Sequence, residues 1–345
     1  MHRVLLGAAV ATVSPLLAVP LFVSSLLVTL AAARLFARRL DRLGLRFGLP
    51  EAVIGLLAAL AADGPEISSA LVALIKGAHS VSVGVLVGSS VFNFAAMIGV
   101  SALLAGSVLL RREVLLLEGF VVAMATLIVA ALLLGWLPAL AAVVLLACVL
   151  VPYLLLLIHG APSVGSLSAP GRLVGRIARV VDLRQPAVRP SGSSQDPAHH
   201  LLGLVVMDVV LIVAGSTGMV QAALALGDRW GVSDAVLGVL ILAPLTSLPN
   251  ALTGVRLGLA RRGPALVSET FNSNTMNLAV GVTLPALFVG VSEASALGRV
   301  DIAWLVAMTA VCLLLLAQPA GLRRAGGAVL ISLYIAFVAI QLIAA

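Results

Sequence analysis

The stretch Asp63-Gly64-Pro65-Glu66 breaks a long apolar run with a polar, proline-containing knot, and Gly88-Ser89-Ser90-Val91-Phe92-Asn93 follows it. The arrangement returns as Thr246-Ser247-Leu248-Pro249-Asn250, followed by Asn272-Ser273-Asn274-Thr275-Met276-Asn277. In both copies a serine falls 23 residues after the end of the knot, and an asparagine four residues after that serine. Oxygen-bearing side chains and broken backbone are costly inside hydrocarbon, where no water replaces lost hydrogen bonds. One proline would read as a simple kink. Two knots at one spacing point to a binding site contributed by both halves.

Composition supplies the setting. Of 345 residues, 61% are hydrophobic and 10% charged, far from a soluble domain. Ten spans are expected, at residues 4–33, 49–76, 80–106, 113–134, 137–158, 201–226, 232–259, 265–290, 300–317 and 326–344. The second and seventh contain the knots, so each should be two half-helices joined by unwound backbone. The first run is too long for a signal core and lacks a convincing cleavage site. Gly135-Trp136-Leu137-Pro138 marks a tight turn between the fourth and fifth spans. Cys148 and Cys312 fall inside spans and read as small buried hydrophobes, with no disulfide or metal framework implied.

Basic residues orient the chain. Seventeen of the 21 Lys and Arg fall on one side under the ten-span scheme, leaving Arg3, Lys76, Arg229 and Arg299 on the other. The 17-residue side should be cytoplasmic, with both termini outside. Orientation in a membrane accounts for the net charge of +7 better than nucleic acid does. The one long connection, residues 160–200, is rich in Pro, Ser, Gly and Arg, and within it residues 173–183 suit a short basic helix at the lipid surface.

The halves are related in sequence. Gly48-Leu49-Pro50-Glu51-Ala52-Val53-Ile54-Gly55 resembles Gly231-Val232-Ser233-Asp234-Ala235-Val236-Leu237-Gly238, and each leads into its own knot. Five spans separate matching points, and an odd number inverts the second copy. The expected fold class is an all-α polytopic membrane protein. Two inverted five-helix repeats, residues 1–159 and 201–345, flank the cytoplasmic loop 160–200. Inverted repeats with broken helices characterise secondary transporters.

On these motifs the chain resembles the cation/calcium exchanger superfamily, the sodium/calcium exchangers in particular. That family carries two repeats of the form G-T-S-x-P-E followed by G-N-x-x-G-S-N-x-x-N or D. The second copy keeps Thr246, Ser247 and Pro249, the first keeps Pro65, Glu66, Gly88 and Ser89, and Asn93 and Asn277 fall on the last polar position of each repeat. The resemblance implies a ten-helix inverted fold with outside termini and a cytoplasmic central loop. It also implies calcium and sodium as transported cargo, with no cofactor. The departures redistribute acids: Asn250 stands where a Glu belongs, Asp63 is added, and Glu269 occupies a position where the family has Asn.

Calcium takes six to eight oxygens from carboxylate, amide, hydroxyl and carbonyl groups. The expected cation ligands are Glu66, Asp63, Ser89, Asn93, Thr246, Ser247, Asn250, Glu269, Ser273 and Asn277. Each has a structural alternative. The serines suit helix packing and the asparagines amide bridges. Asp63 either binds a cation, takes a proton or caps the following half-helix. Glu269 either lines the site or pairs with Arg261 or Arg262. Asp208 either faces a water path or gate, or stabilises helix contacts, while Glu118 suits a surface ion pair near Arg111. For the site to exist, Glu66 must turn away from the acyl chains and come near Asn250.

The leading expectation is a secondary antiporter, sodium-driven and exporting calcium or another divalent cation by alternating access. The alternatives keep the fold: a proton-coupled cation antiporter, or a transport-inactive scaffold. Neither a nucleophile–base set, a His-Glu-x-x-His zinc motif nor paired catalytic aspartates occur in the spans, so no enzyme is expected. Inorganic cations and membrane lipid are the expected partners.

Overall fold

The computed structural model describes residues 15–47, 60–159, 198–290 and 294–344. The central loop, the proposed basic helix at 173–183, and residues 49–59 of the second span lie outside the described residues. The first repeat comprises α1 (Pro15–Arg46), the half-helix α2 (Gly64–Ile75), α3 (His79–Ala105), α4 (Arg112–Leu133) and α5 (Ala139–His159). The second repeats that order: α6 (Ala198–Trp230), a bent pair α7 (Asp234–Thr246) and α8 (Leu248–Leu259), α9 (residues 263–289), α10 (Ala296–Leu316) and α11 (Arg324–Ala344).

Among the described residues, seven helices are long and apolar enough to cross a membrane, and the α7–α8 pair makes an eighth. Ten were expected. Part of the second span is undescribed, and α9 is diluted by Ser268, Glu269, Thr270, Asn272, Ser273, Asn274 and Thr275. The first helix also runs to Arg46, beyond its expected end at residue 33. Arginines do not stop a helix, since their aliphatic stems lie along it while their heads reach water.

Both knots have the same backbone. Asp63 and Ser247 precede α2 and α8 with φ, ψ of −79°, 0° and −82°, 0°, and each following half-helix has 12 residues with proline second. Proline there needs no helical N–H partner, but it leaves the carbonyl four residues upstream, of Ala61 or Leu245, without its usual donor. The α7–α8 axis bends by 49° at this break. A second shared device lies in α3 and α9. Each winds into a π-helical segment beside the motif asparagine, at Phe94–Gly99 and Asn277–Thr283. Such segments shift the register of every later side chain and often mark functional sites.

Lipid is as apolar as leucine, so packing here depends on close contact and internal polar bonds. A Cβ on Gly88 would lie 2.9 Å from the Val239 Cα and carbonyl oxygen and from Ala243 Cβ, so only glycine lets α3 cross α7 this closely. Likewise, a Cβ on Gly215 would sit 2.3 Å from Thr29 Oγ1, which brings α6 against α1. There, Arg39 Nη1 donates to Asp208 Oδ1 at 2.5 Å and to the Leu204 carbonyl at 3.3 Å. Asp208 therefore fastens α6 to α1. A short antiparallel pairing of Ser107–Val108 with Leu322–Arg323, invisible to apolar periodicity, ties the end of α3 to the start of α11.

Two single-residue expectations are corrected. Glu118 is buried, where a surface position was expected, and accepts a 3.4 Å hydrogen bond from Tyr153. Cys148 is exposed on the apolar perimeter while Cys312 is buried, because α5 turns much of its surface outward.

Candidate functional site

The two knots meet. Glu66 and Asp63, on and just before the first turn of α2, are fully buried, and Asn250, on the first turn of α8, is 2% exposed. Asn250 Nδ2 lies 2.8 Å from Asp63 Oδ1 and 3.2 Å from Glu66 Oε1. Helix α9 adds Ser273, whose Oγ donates to Asp63 Oδ1 at 2.6 Å and lies 3.2 Å from Asn250 Nδ2. Helix α3 closes the ring: Asn93 Nδ2 donates to Ser273 Oγ at 3.2 Å and to Asn274 Oδ1 at 3.1 Å. Glu66 thus faces inward, within hydrogen-bonding distance of Asn250.

The ring is not closed chemically. Asp63 Oδ2, Glu66 Oε2, Asn93 Oδ1, Ser247 Oγ and both amide atoms of Asn277 are buried without a hydrogen-bond partner. Ser247 Oγ stands beside the Glu66 carboxylate without an aligned bond to it. Buried acceptors left in this state cost about 1–3 kcal/mol each, more when charged. Among the described residues no arginine or lysine pairs with Asp63 or Glu66; the ion pair between Arg39 and Asp208 lies elsewhere. Orphaned oxygens around two uncompensated acids are what a desolvated cation would satisfy. Two carboxylates, with amide and hydroxyl oxygens, form a hard-cation donor set. Among the described residues no group of three or more His, Cys, Asp or Glu occurs that could hold a metal, so this set rests on two acids completed by amide and hydroxyl oxygens.

The other expected ligands divide. Thr246 is buried, but its hydroxyl donates to the carbonyls of Leu242 at 2.9 Å and Ala243 at 3.2 Å, leaving only its lone pairs free. Ser89 Oγ makes a long 3.5 Å bond to the Ala243 carbonyl across the α3–α7 contact. Glu269 is half-buried and outside the hydrogen-bonded ring, though near enough to Asp63 to repel it. It forms no ion pair with Arg261 or Arg262.

Sequence reasoning missed Asn274. Its Oδ1 receives Asn93, and its Nδ2 donates to the Ser90 carbonyl at 3.1 Å. Ser90 and Asn274 each follow the motif serine, so these equivalent positions touch across the two halves. The doubled motif contained that signal. Asn272 was also missed: it accepts at 2.9 Å from Tyr153, which links α5 to α9 one residue before Ser273.

The chain is similar to known proteins along most of its length. The family model described as sodium/calcium exchanger protein matches residues 17–159 and 200–343. Two curated relatives from Gallus gallus align over a shorter stretch. Sodium/potassium/calcium exchanger 1 is 34% identical over 77 residues, and sodium/potassium/calcium exchanger 2 is 36% identical over 73. These stretches span 22% and 21% of this chain but only 12% and 11% of the relatives' lengths. Among solved structures, the sodium-calcium exchanger NCX_Mj soaked with Na+ and Sr2+ superposes with a TM-score of 0.58 at 19% identity, covering 94% of this chain and 99% of that one. The same protein soaked with Na+ and Ca2+ gives 0.58 at 20% identity, covering 94% and 98%. At that identity the likeness carries the fold.

Proposed function

The chain belongs to the sodium/calcium exchanger protein family, and on that premise we propose that it works as a secondary active cation antiporter. An inward sodium gradient drives export of calcium or another divalent cation through the site between the two knots. The observation that carries this reading is the buried ring of Asp63, Glu66, Asn250, Ser273 and Asn93, which has two acids and several oxygens with no protein partner. Its ligands are Glu66, Asp63, Asn93, Ser247, Asn250, Ser273 and Asn277, with Ser89, Thr246 and Glu269 flanking.

The coupling needs no covalent step. Sodium and calcium compete for the same carboxylates, so one leaves as the other arrives. The break before α2 and α8 gives each knot a hinge and free carbonyls, which suits alternating access. The protein resides in the cell membrane with both termini outside and loop 160–200 in the cytoplasm, as the arginine distribution favours.

Radiolabelled calcium flux into vesicles tests this, with sodium and pH gradients imposed separately. Sodium-driven flux at equal pH is expected. Flux that follows the pH gradient without sodium would replace sodium by protons as the coupling ion. No flux under either gradient would overturn the antiport reading.

A further inference from the structure

Asn250 is placed oddly for a cation ligand. Its nitrogen, and not its oxygen, faces the acids: Nδ2 is 2.8 Å from Asp63 Oδ1 and 3.2 Å from Glu66 Oε1. Ionised carboxylates only accept, so the amide must turn its donor side to them. An N–H group cannot ligate a metal. In this orientation Asn250 holds the position between two acids that a shared cation would take. The amide has two hydrogens for three nearby oxygens, and Ser273 Oγ spends its own hydrogen on Asp63 Oδ1. The fit is therefore to the pair of carboxylates.

We propose that the Asn250 amide is a reversible stand-in for the transported cation, bridging Asp63 and Glu66 through Nδ2 when the site is empty and turning over to present Oδ1 when a cation enters. This rests on the exchange reading above and deepens it, making Asn250 a residue that sets cation affinity and selectivity. The rotation exchanges NH2 for O within nearly the same volume, so the buried packing need not change. Asp63 Oδ2 and Glu66 Oε2 already lack partners and stay available. A neutral amide oxygen is an ordinary ligand for a hard cation. A carboxylate at this position would offer no donor, and the empty site would then hold acids with nothing between them. The amide thus stabilises the unloaded carrier and competes with the incoming ion.

The sign of one substitution separates this from a fixed amide bridge. Calcium and sodium binding to the purified full chain would be measured by titration calorimetry for wild type, Asn250→Ala and Asn250→Asp. If Oδ1 joins the loaded site, Asn250→Ala loses that ligand along with the competing N–H bonds. Because the ligand acts on a divalent charge its loss dominates, so calcium binds about tenfold more weakly. If the amide only donates, Asn250→Ala removes a competitor and binds calcium equally or more tightly; that result overturns the proposal. Asn250→Asp keeps the shape, supplies oxygen without a donor, and should bind calcium at least about tenfold more tightly. Sodium should gain less, because a divalent ion feels the added charge twice. Should Asn250→Ala fail to fold, unchanged or weakened calcium binding by Asn250→Asp overturns it. A wild-type protein that binds neither cation removes the exchange reading as well, whereas normal wild-type binding with an unaltered alanine variant removes the turnover alone.

Discussion

Replacing Glu66 by Gln removes one negative charge from the ring while keeping its shape. Glu66 is fully buried, and its Oε1 accepts from Asn250 at 3.2 Å. The glutamine carbonyl can accept the same bond, so the fold should survive. Two unit charges 4 Å apart interact by about 4 kcal/mol at an effective dielectric near 20, and a divalent ion by about twice that. The amide oxygen remains a ligand, and a less charged site is cheaper to desolvate, which returns part of the loss. Taking roughly half as net leaves about 2 kcal/mol for sodium and about 4 kcal/mol for calcium, or about 30-fold and nearly 1,000-fold in affinity. Calcium should therefore lose about 30-fold more than sodium. Titration calorimetry with both cations on purified protein, beside calcium flux in vesicles, measures this directly. Flux should vanish at calcium concentrations that saturate the wild type. A wild-type calcium isotherm would show that Glu66 is not a ligand. Equal losses for calcium and sodium would show that charge is not what the site reads.

Asn277 should respond with opposite signs in two assays. Both its amide atoms are buried without partners, so Asn277→Ala should raise cation-free thermal stability by about 1–2 kcal/mol while weakening calcium binding about tenfold. Breaking the Arg39–Asp208 pair with Arg39→Leu should destabilise the protein in detergent by about 2–4 kcal/mol, because fully buried Asp208 is left uncompensated. Adding Asp208→Leu should recover most of that loss, and a failure to recover in thermal unfolding would mean the pair does more than hold α1 to α6. Gly88→Ala should cost about 1–3 kcal/mol and impair flux, since the new methyl meets the Val239 backbone at 2.9 Å and pushes the helix carrying Ser89 and Asn93 away from α7. Unaltered flux and melting would refute that crossing.

Much of the site was legible because its costs are paid locally. A proline and an acid inside an apolar run are expensive wherever the chain goes, so Pro65-Glu66 and Pro249-Asn250 announce themselves before any packing is known. The repeated interval to Ser89 and Ser273 fixes which later turns of α3 and α9 answer them. What stayed hidden depends on orientation about an axis or across a contact. Asn274 sits one residue from Ser273, a rotation of about 100° on a helix, and only the opposing Asn93 and Ser90 place it inside the ring. Glu118 resembled a surface residue by its closeness to a membrane end and Arg111, yet it is buried and Tyr153 on α5 donates to it. Glu269 looked like a ligand by offset, and the turn of α9 leaves it outside the hydrogen-bonded ring.

The sequence by itself determined that the chain lives in lipid, that its halves repeat, and where the backbone breaks, because hydropathy and proline act residue by residue. Only the tertiary structure decided which oxygens share a space. It put both acids of the ring on the first repeat, set the Asn250 nitrogen between them, and left Asn277 with neither amide atom bonded. Those outcomes depend on how four helices approach one another within a few ångströms, a distance that glycine contacts and π-helical turns control and that no interval along the chain encodes.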